Sequence, residues 1–229
     1  MKFSQKIIRI VGVLYIIQMA TAVTSYSVIL EPILYQNNYL DLLVAKDTQV
    51  ILAMLLDLVC GASVFAIAIL LFPILKHFNE RIALWYAGMR LAELMCLVIS
   101  GILLLTLLTI GQKLNGSTDP STLQDIAYFL RNARGNTQDA SLLIYCLGAW
   151  SFYGLLYYTK LIPGFISIWG LIAVTLLCIE IVCNIFDSSV GGMLIMMPLG
   201  LNEVFLGIWL MVKGFDRSRI VDINIPSEE

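Results

Sequence analysis

Apolar residues dominate six long stretches of the chain, and short polar segments separate these stretches. A helix that crosses about 30 Å of hydrocarbon needs about 20 apolar residues, because each residue advances the helix by about 1.5 Å. The pattern therefore predicts an all-α, polytopic integral membrane protein with six transmembrane helices. The predicted spans lie at approximately residues 7–30, 50–72, 84–108, 142–158, 165–186 and 193–212.

Proline and glycine mark several of the predicted span boundaries. They occur at Pro73, at Pro163-Gly164, at Gly191-Gly192 and at Gly214. These residues interrupt or terminate helices, so their positions agree with the hydrophobic pattern. Together the two signals predict one transmembrane domain over residues 1–216, followed by a short polar tail at residues 217–229.

The N-terminus also has features of a cleavable signal peptide. Lys2, Lys6 and Arg9 precede an apolar run, and Ala20-Thr21-Ala22 resembles a cleavage site. The apolar run continues to Leu30, however, which is long enough to span a membrane. We favour a retained first helix, because cleavage would leave five spans and place the termini on opposite sides.

Lysine and arginine are unevenly distributed between the predicted loops. With six spans, both termini lie on one side of the membrane, and that side carries nine basic residues against four on the other. The nine are Lys2, Lys6, Arg9, Lys76, Arg81, Lys160, Lys213, Arg217 and Arg219, and the four are Lys46, Lys113, Arg131 and Arg134. Basic residues concentrate in cytoplasmic loops, so we expect both termini in the cytoplasm.

Composition supports a membrane protein and argues against nucleic-acid binding. Hydrophobic residues make up 59% and charged residues 13% of the chain, whereas an average soluble domain has about 25% charged residues. Fourteen Lys and Arg against 16 Asp and Glu give a formal net charge of −2, which provides no polycationic surface. Membrane lipids are therefore expected partners, and nucleic acids are not.

Two outer connections have some structure of their own. Residues 31–47 mix apolar and polar positions, which is typical of an interfacial helix or of a partly re-entrant segment. The longest loop, residues 112–139, is predicted to hold a short amphipathic helix that begins at Asp119-Pro120. Both segments either cap the outer end of the bundle or lie on the lipid headgroups as amphipathic connectors.

Ionisable residues inside the predicted spans are the most informative feature. On insertion scales, Asp or Arg at mid-helix costs about 2.5–3.5 kcal/mol, so such residues are normally paired, protonated or in contact with water. We predict that they and two neighbouring asparagines line the interior, with the acids arranged from the outer face to the midplane. The candidate site residues are Asp57, Arg90, Glu93, Glu180, Asn184, Asn202 and Glu203.

This cluster has two interpretations. It is either an acid-lined cavity for a proton, a cation or a polar solute, or a buried network that holds the helices in register. We expect Arg90 to pair with Glu93 or Glu203. Asp57 and Glu180 are farther from any Lys or Arg in the sequence. One arginine cannot neutralise all the carboxyl groups, and this favours the functional interpretation.

Other residues give little support to catalysis or to a cofactor. All five cysteines lie in predicted spans without a C-x-x-C pair, and the one histidine, His77, lies in a loop. Met193, Met196 and Met197 resemble a Cu(I) cluster, although methionine in a span is more often a packing residue. We therefore expect no metal, no cofactor and no enzymatic activity. An intramembrane lipid-modifying enzyme with Glu93 and Glu203 as acid and base is the least favoured alternative.

Several segments together resemble the bacterial membrane family called domain of unknown function 4386. They are Arg9-x-x-Gly12-x-x-Tyr15, Arg90-x-x-Glu93, Leu161-Ile162-Pro163 with Gly170, and Glu203 followed by Trp209-Leu210-Met211-Val212-Lys213-Gly214-Phe215. The resemblance implies a bacterial inner-membrane protein of about six helices, and it implies no activity, substrate or catalytic residue.

Two functions are consistent with these features. The first is a small transporter or channel-like protein that handles a proton, a cation or a small polar solute. The second is a non-enzymatic membrane subunit or regulatory partner whose buried charges are structural, with an unknown protein partner. A water-accessible cavity at Glu93 and Glu203 would favour the first.

Overall fold

The computed structural model describes residues 5–114, 119–186, 188, 191–216 and 218, and helices form nearly all of this part of the chain. The predicted tail at residues 217–229 lies outside the described residues, apart from Ser218. The elements are α1 (Gln5–Val23), a π-helical segment (Thr24–Leu30), α2 (Glu31–Leu34), α3 (Tyr39–Ala45), α4 (Asp47–Leu114), α5 (Pro120–Thr159), α6 (Gly164–Ile185) and α7 (Met193–Val212). The predicted all-α class is confirmed.

The longest helix, α4, consists of two arms that meet at Asn79. The backbone of Asn79 is extended, with φ −158° and ψ 105°, and its Oδ1 accepts a hydrogen bond from the N–H of Ile82 at 3.1 Å. This bond satisfies one of the free N–H groups at the start of the second arm. Within the described residues, five helices are long and apolar enough to cross a membrane. Each arm of α4, residues 47–78 and 80–114, exceeds the length of a span, so six spans result.

The helix around Pro73 is longer than the predicted span. Pro73 lies within the first arm, which continues to residue 78. A proline removes one backbone hydrogen bond without necessarily ending a helix whose faces are packed. Ile74 and Leu75 directly after it are buried. The turn between the second and third spans is therefore tight.

The segment that follows the first span caps one end of the bundle. α2 and α3 bury Ile33 and Leu43 completely against the first and last turns of α4, in a core that includes Val50 and Leu107. Residues 31–45 therefore form two short helices on the end of the bundle that we predict to face outward. Their packing supports the capping interpretation of this connection.

α5 is one continuous helix from Pro120 to Thr159. The short helix and the fourth span, which we predicted as separate elements, are thus a single rod. The N–H of Thr122 donates to Asp119 Oδ1 at 3.3 Å, and hydrogen bonds from the hydroxyl of Thr122, and also of Ser121, lower the pKa of Asp119. Ala127, in the outer half of α5, is fully buried and belongs to the same apolar core as residues of α3 and α4.

The outside of the bundle is apolar. Leu52, Leu55 and Leu58 of α4 are 46–48% exposed, and many other large aliphatic side chains along the spans are similarly exposed. A soluble protein rarely leaves so much contiguous apolar surface uncovered. Lipid acyl chains are the solvent that suits it.

α1 and α7 are in close backbone contact at two glycines. A Cβ atom added to Gly12 would lie 2.6 Å from the carbonyl oxygen of Gly207 and 2.8 Å from the backbone nitrogen of Met211. Small residues permit such close backbone contact between transmembrane helices, where van der Waals packing is a main source of stability.

We predict that Gly12→Ala destabilises the protein by about 1–3 kcal/mol, the usual cost of overpacking, because the backbone of α7 cannot move aside like a side chain. Gly88→Ala is the matched control, since a Cβ atom at Gly88 meets nothing within 4 Å. Melting temperatures in detergent would compare the two variants. Equal stability of both would contradict the observed helix contact.

Candidate functional site

Arg90 and Glu93 form a buried ion pair on the second arm of α4. Arg90 Nη1 lies 2.8 Å from Glu93 Oε2, and the two residues are 2% and 9% exposed. The spacing i, i+3 places both side chains on one face of the helix. The guanidinium carbon of Arg90 also lies 4.7 Å from the ring centre of Tyr145 and 5.2 Å from that of Tyr86. The predicted pairing of Arg90 with Glu93 is thus present.

Glu203 on α7 is held by two neutral donors from other helices. Its Oε1 accepts a hydrogen bond from the hydroxyl of Tyr145 on α5 at 2.8 Å, and its Oε2 accepts one from Nε2 of Gln18 on α1 at 3.1 Å. The neighbouring residue Asn202 is fully buried, and its side-chain amide donates to the carbonyl of Ile166 at 3.0 Å. Asn202 therefore attaches α7 to α6, and it positions Glu203 without sharing its hydrogen bonds.

These side chains make up what we call the central cluster. It comprises Arg90, Glu93 and Glu203 with the surrounding polar residues Gln18, Tyr15, Tyr86 and Tyr145. Four of its buried polar atoms have capacity for further hydrogen bonds: Arg90 Nε, Gln18 Oε1 and the hydroxyls of Tyr15 and Tyr86. Donors and acceptors are both present, so the cluster has the chemistry to hold a proton, a cation or a small polar molecule.

Asp57 has a basic partner that the sequence did not indicate. Arg134 Nη2 lies 3.8 Å from Asp57 Oδ2, and the residues are 3% and 8% exposed. We had expected Asp57 to be far from any Lys or Arg, because Arg134 was assigned to the outer loop. The expectation was wrong because α5 is continuous and carries Arg134 inward against the first arm of α4.

Glu180 has a different environment from the central cluster. Its carboxylate accepts hydrogen bonds from the backbone N–H groups of Gly191 at 3.1 Å and Gly192 at 2.8 Å, directly before α7. A carboxylate at a helix N-terminus accepts hydrogen bonds from free N–H groups, and its negative charge is stabilised by the partial positive charge of the helix dipole there. Glu180 is fully buried and ties α6 to the start of α7.

Asn184 does not line the interior, because its side chain is exposed. Asn184 is four residues after Glu180, so its side chain is rotated by about 40° around the helix axis relative to that of Glu180. It also lies in the last turn of α6, where fewer neighbours cover it. Asp187, the third member of the predicted stripe, lies outside the described residues. The stripe from Glu180 along α6 is therefore not formed as predicted.

The acids of α4 and α7 do lie near one another. Cys60, one turn after Asp57, is within electrostatic range of Glu93, Asp57 and Glu203. Glu93 and Glu203 also interact electrostatically with each other, whereas Glu180 is hydrogen-bonded to the α6–α7 turn. Within the described ranges, no three His, Cys, Asp or Glu side chains are grouped as metal ligands.

A groove lined by described residues lies away from the central cluster. It has a volume of about 600 Å³ and lies between the α5–α6 turn and the end of α7, where it touches neither Glu93 nor Glu203.

The central cluster also includes residues that are not among the predicted site residues. Tyr86 lies four residues before Arg90, on the same helix face, and Tyr145 is a polar aromatic residue within a span. The sequence therefore contained evidence for both residues: the helical spacing of Tyr86 from Arg90, and the polar hydroxyl of Tyr145 within an apolar span.

A family model described as "Domain of unknown function (DUF4386)" matches residues 10–214. The match extends over most of the chain, and the chain therefore belongs to this family. No curated protein and no solved structure gives a significant match. The resemblance that the short motifs indicated is confirmed.

We predict that Arg90→Leu destabilises the protein by about 3–5 kcal/mol, because it strands the buried carboxylate of Glu93. Arg90→Leu combined with Glu93→Gln should recover part of the loss, since the second change removes the stranded charge. Arg81→Leu, at an exposed position of the same arm, is the control. Thermal unfolding in detergent measures all three, and a neutral Arg90→Leu would show that the pair contributes nothing.

Proposed function

We propose that this member of the DUF4386 family is a non-enzymatic protein of the bacterial inner membrane that handles a proton, a monovalent cation or a small polar solute at the central cluster. Six apolar spans and family membership support a membrane location. The excess of Lys and Arg in the inner loops favours cytoplasmic termini.

The observation that carries the proposal is the set of partners around Glu203. Both of its oxygens accept hydrogen bonds from neutral groups, the hydroxyl of Tyr145 and the amide of Gln18. The nearby guanidinium of Arg90 donates instead to Glu93. Within the part of the chain that the structure describes, Glu203 is therefore a carboxyl group at membrane depth without a cation among its hydrogen-bond partners.

The charge of the cluster leads to the same conclusion. Two carboxyl groups and one guanidinium leave one negative charge when both carboxyls are ionised. A buried charge without compensation is costly, and intramembrane ionisable residues are by default functional. A proton or a monovalent cation at Glu203 makes the cluster neutral, so the cluster is suited to bind either one.

Tyr145 allows Glu203 to exist in both protonation states without a large rearrangement. A tyrosine hydroxyl both donates and accepts hydrogen bonds. Tyr145 donates to an ionised Glu203, and rotation of its hydroxyl lets it accept a hydrogen bond from a protonated one. The hydroxyls of Tyr15 and Tyr86 and Nε of Arg90 supply further sites for a polar solute.

A structural role is the second candidate, and two of the acids favour it. Glu180 is occupied by the backbone of the α6–α7 turn, and Asp57 lies beside Arg134. Such contacts can fix how neighbouring helices are aligned. Asp57 has a positively charged partner, and Glu180 has backbone hydrogen-bond donors. If Glu203 serves the same purpose, the chain is a membrane subunit or regulatory partner of another protein.

We predict that Glu203→Gln removes proton binding while the fold is retained, because the amide is nearly isosteric with the carboxyl and cannot titrate. Infrared difference spectroscopy between acidic and alkaline buffer would detect the protonated carboxyl, and proteoliposomes containing a pH-sensitive dye would measure proton flux. The control is Glu80→Gln, an exposed carboxyl at the start of the second arm.

The two candidates give different results in this experiment. Handling of protons predicts a carboxyl signal and a flux in the wild type that Glu203→Gln lacks and Glu80→Gln keeps. A structural role predicts a lowered melting temperature for Glu203→Gln and no flux in any variant. The first proposal would be overturned if the liposomes moved neither protons nor monovalent cations and the infrared spectra of the protein showed no titrating carboxyl.

The proposed orientation is tested by labelling from outside the cell. We expect a membrane-impermeant maleimide to label Ser121→Cys but not Lys76→Cys in intact cells, because the positive charge count places Lys76 inside. Both residues are exposed, so burial does not bias the comparison. Permeabilised cells should label both, and labelling of Lys76→Cys in sealed cells would reverse the topology.

A further inference from the structure

The groove between the α5–α6 turn and the end of α7 has a mixed chemical lining. Lys160 and Lys213 contribute positive charge, while Tyr157 and Trp209 contribute aromatic surface. The groove has a volume of about 600 Å³ and belongs to none of the buried acid sites. Both lysines lie at helix ends, on the side that the charge count predicts to be cytoplasmic.

The base of the groove is held by hydrogen bonds and buried side chains. The N–H of Asp216 donates to the carbonyl of Leu161 at 3.0 Å, and this bond joins the chain after α7 to the α5–α6 turn. Gln5 Nε2 donates to the carbonyl of Phe215 at 3.3 Å. Leu161 and Phe215 are almost completely buried. The groove is thus a packed junction of α1, α5, α6 and α7.

The two lysines have capacity to bind an anion. Both are exposed, and in the part of the chain that the structure describes neither makes an ion pair. Asp216 also lines the groove, but its Oδ1 accepts hydrogen bonds from the N–H and hydroxyl of Ser218 at 3.0 and 2.8 Å. The lining therefore carries a net positive charge.

Lys160 occupies a position where glycine would be favoured. Its backbone is left-handed, with φ 54° and ψ 29°, at the C-terminal end of α5. This conformation costs a residue with a Cβ atom free energy that glycine avoids, and glycine is the common residue at such helix ends. A lysine there is more readily explained by its charge than by its conformation.

We infer that this groove binds the phosphate headgroup of an anionic phospholipid, with Lys160 and Lys213 as phosphate partners. Tryptophan and tyrosine are enriched at the membrane–water interface, and this places Trp209 and Tyr157 beside the part of an acyl chain that is nearest its headgroup. The inner leaflet is rich in anionic lipid, and each basic residue near its surface contributes attraction. Free phosphate shares the headgroup chemistry but makes no use of the aromatic wall.

The test is lipid selection by the full chain. Purified protein is exchanged into mixed micelles with equal amounts of phosphatidylglycerol and phosphatidylcholine, and native mass spectrometry counts the bound lipids. The variant is Lys160→Gly with Lys213→Gln. Glycine suits the left-handed position, so this variant should fold at least as stably at α5, and a melting curve verifies this. The control is Lys76→Gln with Arg81→Gln, which removes equal charge from another inner turn.

We expect the wild type and the control to prefer phosphatidylglycerol, and the groove variant to lose at least about fivefold of that preference, the contribution of one basic residue near an anionic surface. Equal retention of both lipids by the wild type would overturn the inference, as would an unchanged preference in the groove variant. An equal loss in the control would assign the effect to overall charge.

A second arm separates the lipid from the free anion. Inorganic phosphate is added to the loaded protein, and sodium chloride at the same ionic strength is the comparison. If the two salts have the same effect on bound phosphatidylglycerol, the lipid assignment is supported. Specific displacement by inorganic phosphate would show that the groove recognises the free anion instead. Neither result depends on proton flux, so this inference and the proposed function are tested separately.

Discussion

The ion pair between Arg90 and Glu93 is the interaction around which the bundle is arranged. A guanidinium at membrane depth is costly unless other groups of the protein enclose it and compensate its charge. Glu93 supplies the charge, and the rings of Tyr86 and Tyr145 cover the guanidinium at 5.2 and 4.7 Å. Because Tyr145 also donates to Glu203, α5 and α7 are tied to the same point. The side chains around this one charge thus connect α4, α5 and α7.

The buried acids are accommodated in four different ways, and this difference separates structure from function. Glu93 is bonded to a guanidinium, Asp57 lies beside Arg134, and Glu180 accepts backbone N–H groups at the start of α7. The contacts of Asp57 and Glu180 each join two different helical segments, whereas the pair of Glu93 with Arg90 lies within one arm of α4. Among the described residues, Glu203 accepts hydrogen bonds from the neutral side chains of Tyr145 and Gln18 and forms no ion pair. These neutral partners of Glu203, and not the number of buried acids, favour a proton or cation site there.

The sequence pattern predicted what depends on local spacing and failed where distant contacts decide. The number of spans and the i, i+3 pairing of Arg90 with Glu93 follow from helix geometry, and the described helices agree with both. The contact of Asp57 with Arg134 depends on α5 running unbroken from Pro120, which its polar first half concealed. Backbone donors that receive Glu180 are invisible in a pattern of side chains. Asn184 was misplaced because a rotation of about 40° at a helix end suffices to expose it.

The position of Glu203 couples its protonation to the packing of three helices. Its two donors come from α1 and α5, while Glu203 belongs to α7. Hydrogen bonds to an ionised carboxylate are about twice as strong as those between neutral groups, so a proton at Glu203 weakens both connections at once. One turn further along α7, Gly207 meets Gly12, where α1 and α7 touch through their backbones. The α1–α7 contact therefore contains both a titratable bond and a close glycine crossing, and a change in the charge of Glu203 acts directly on it.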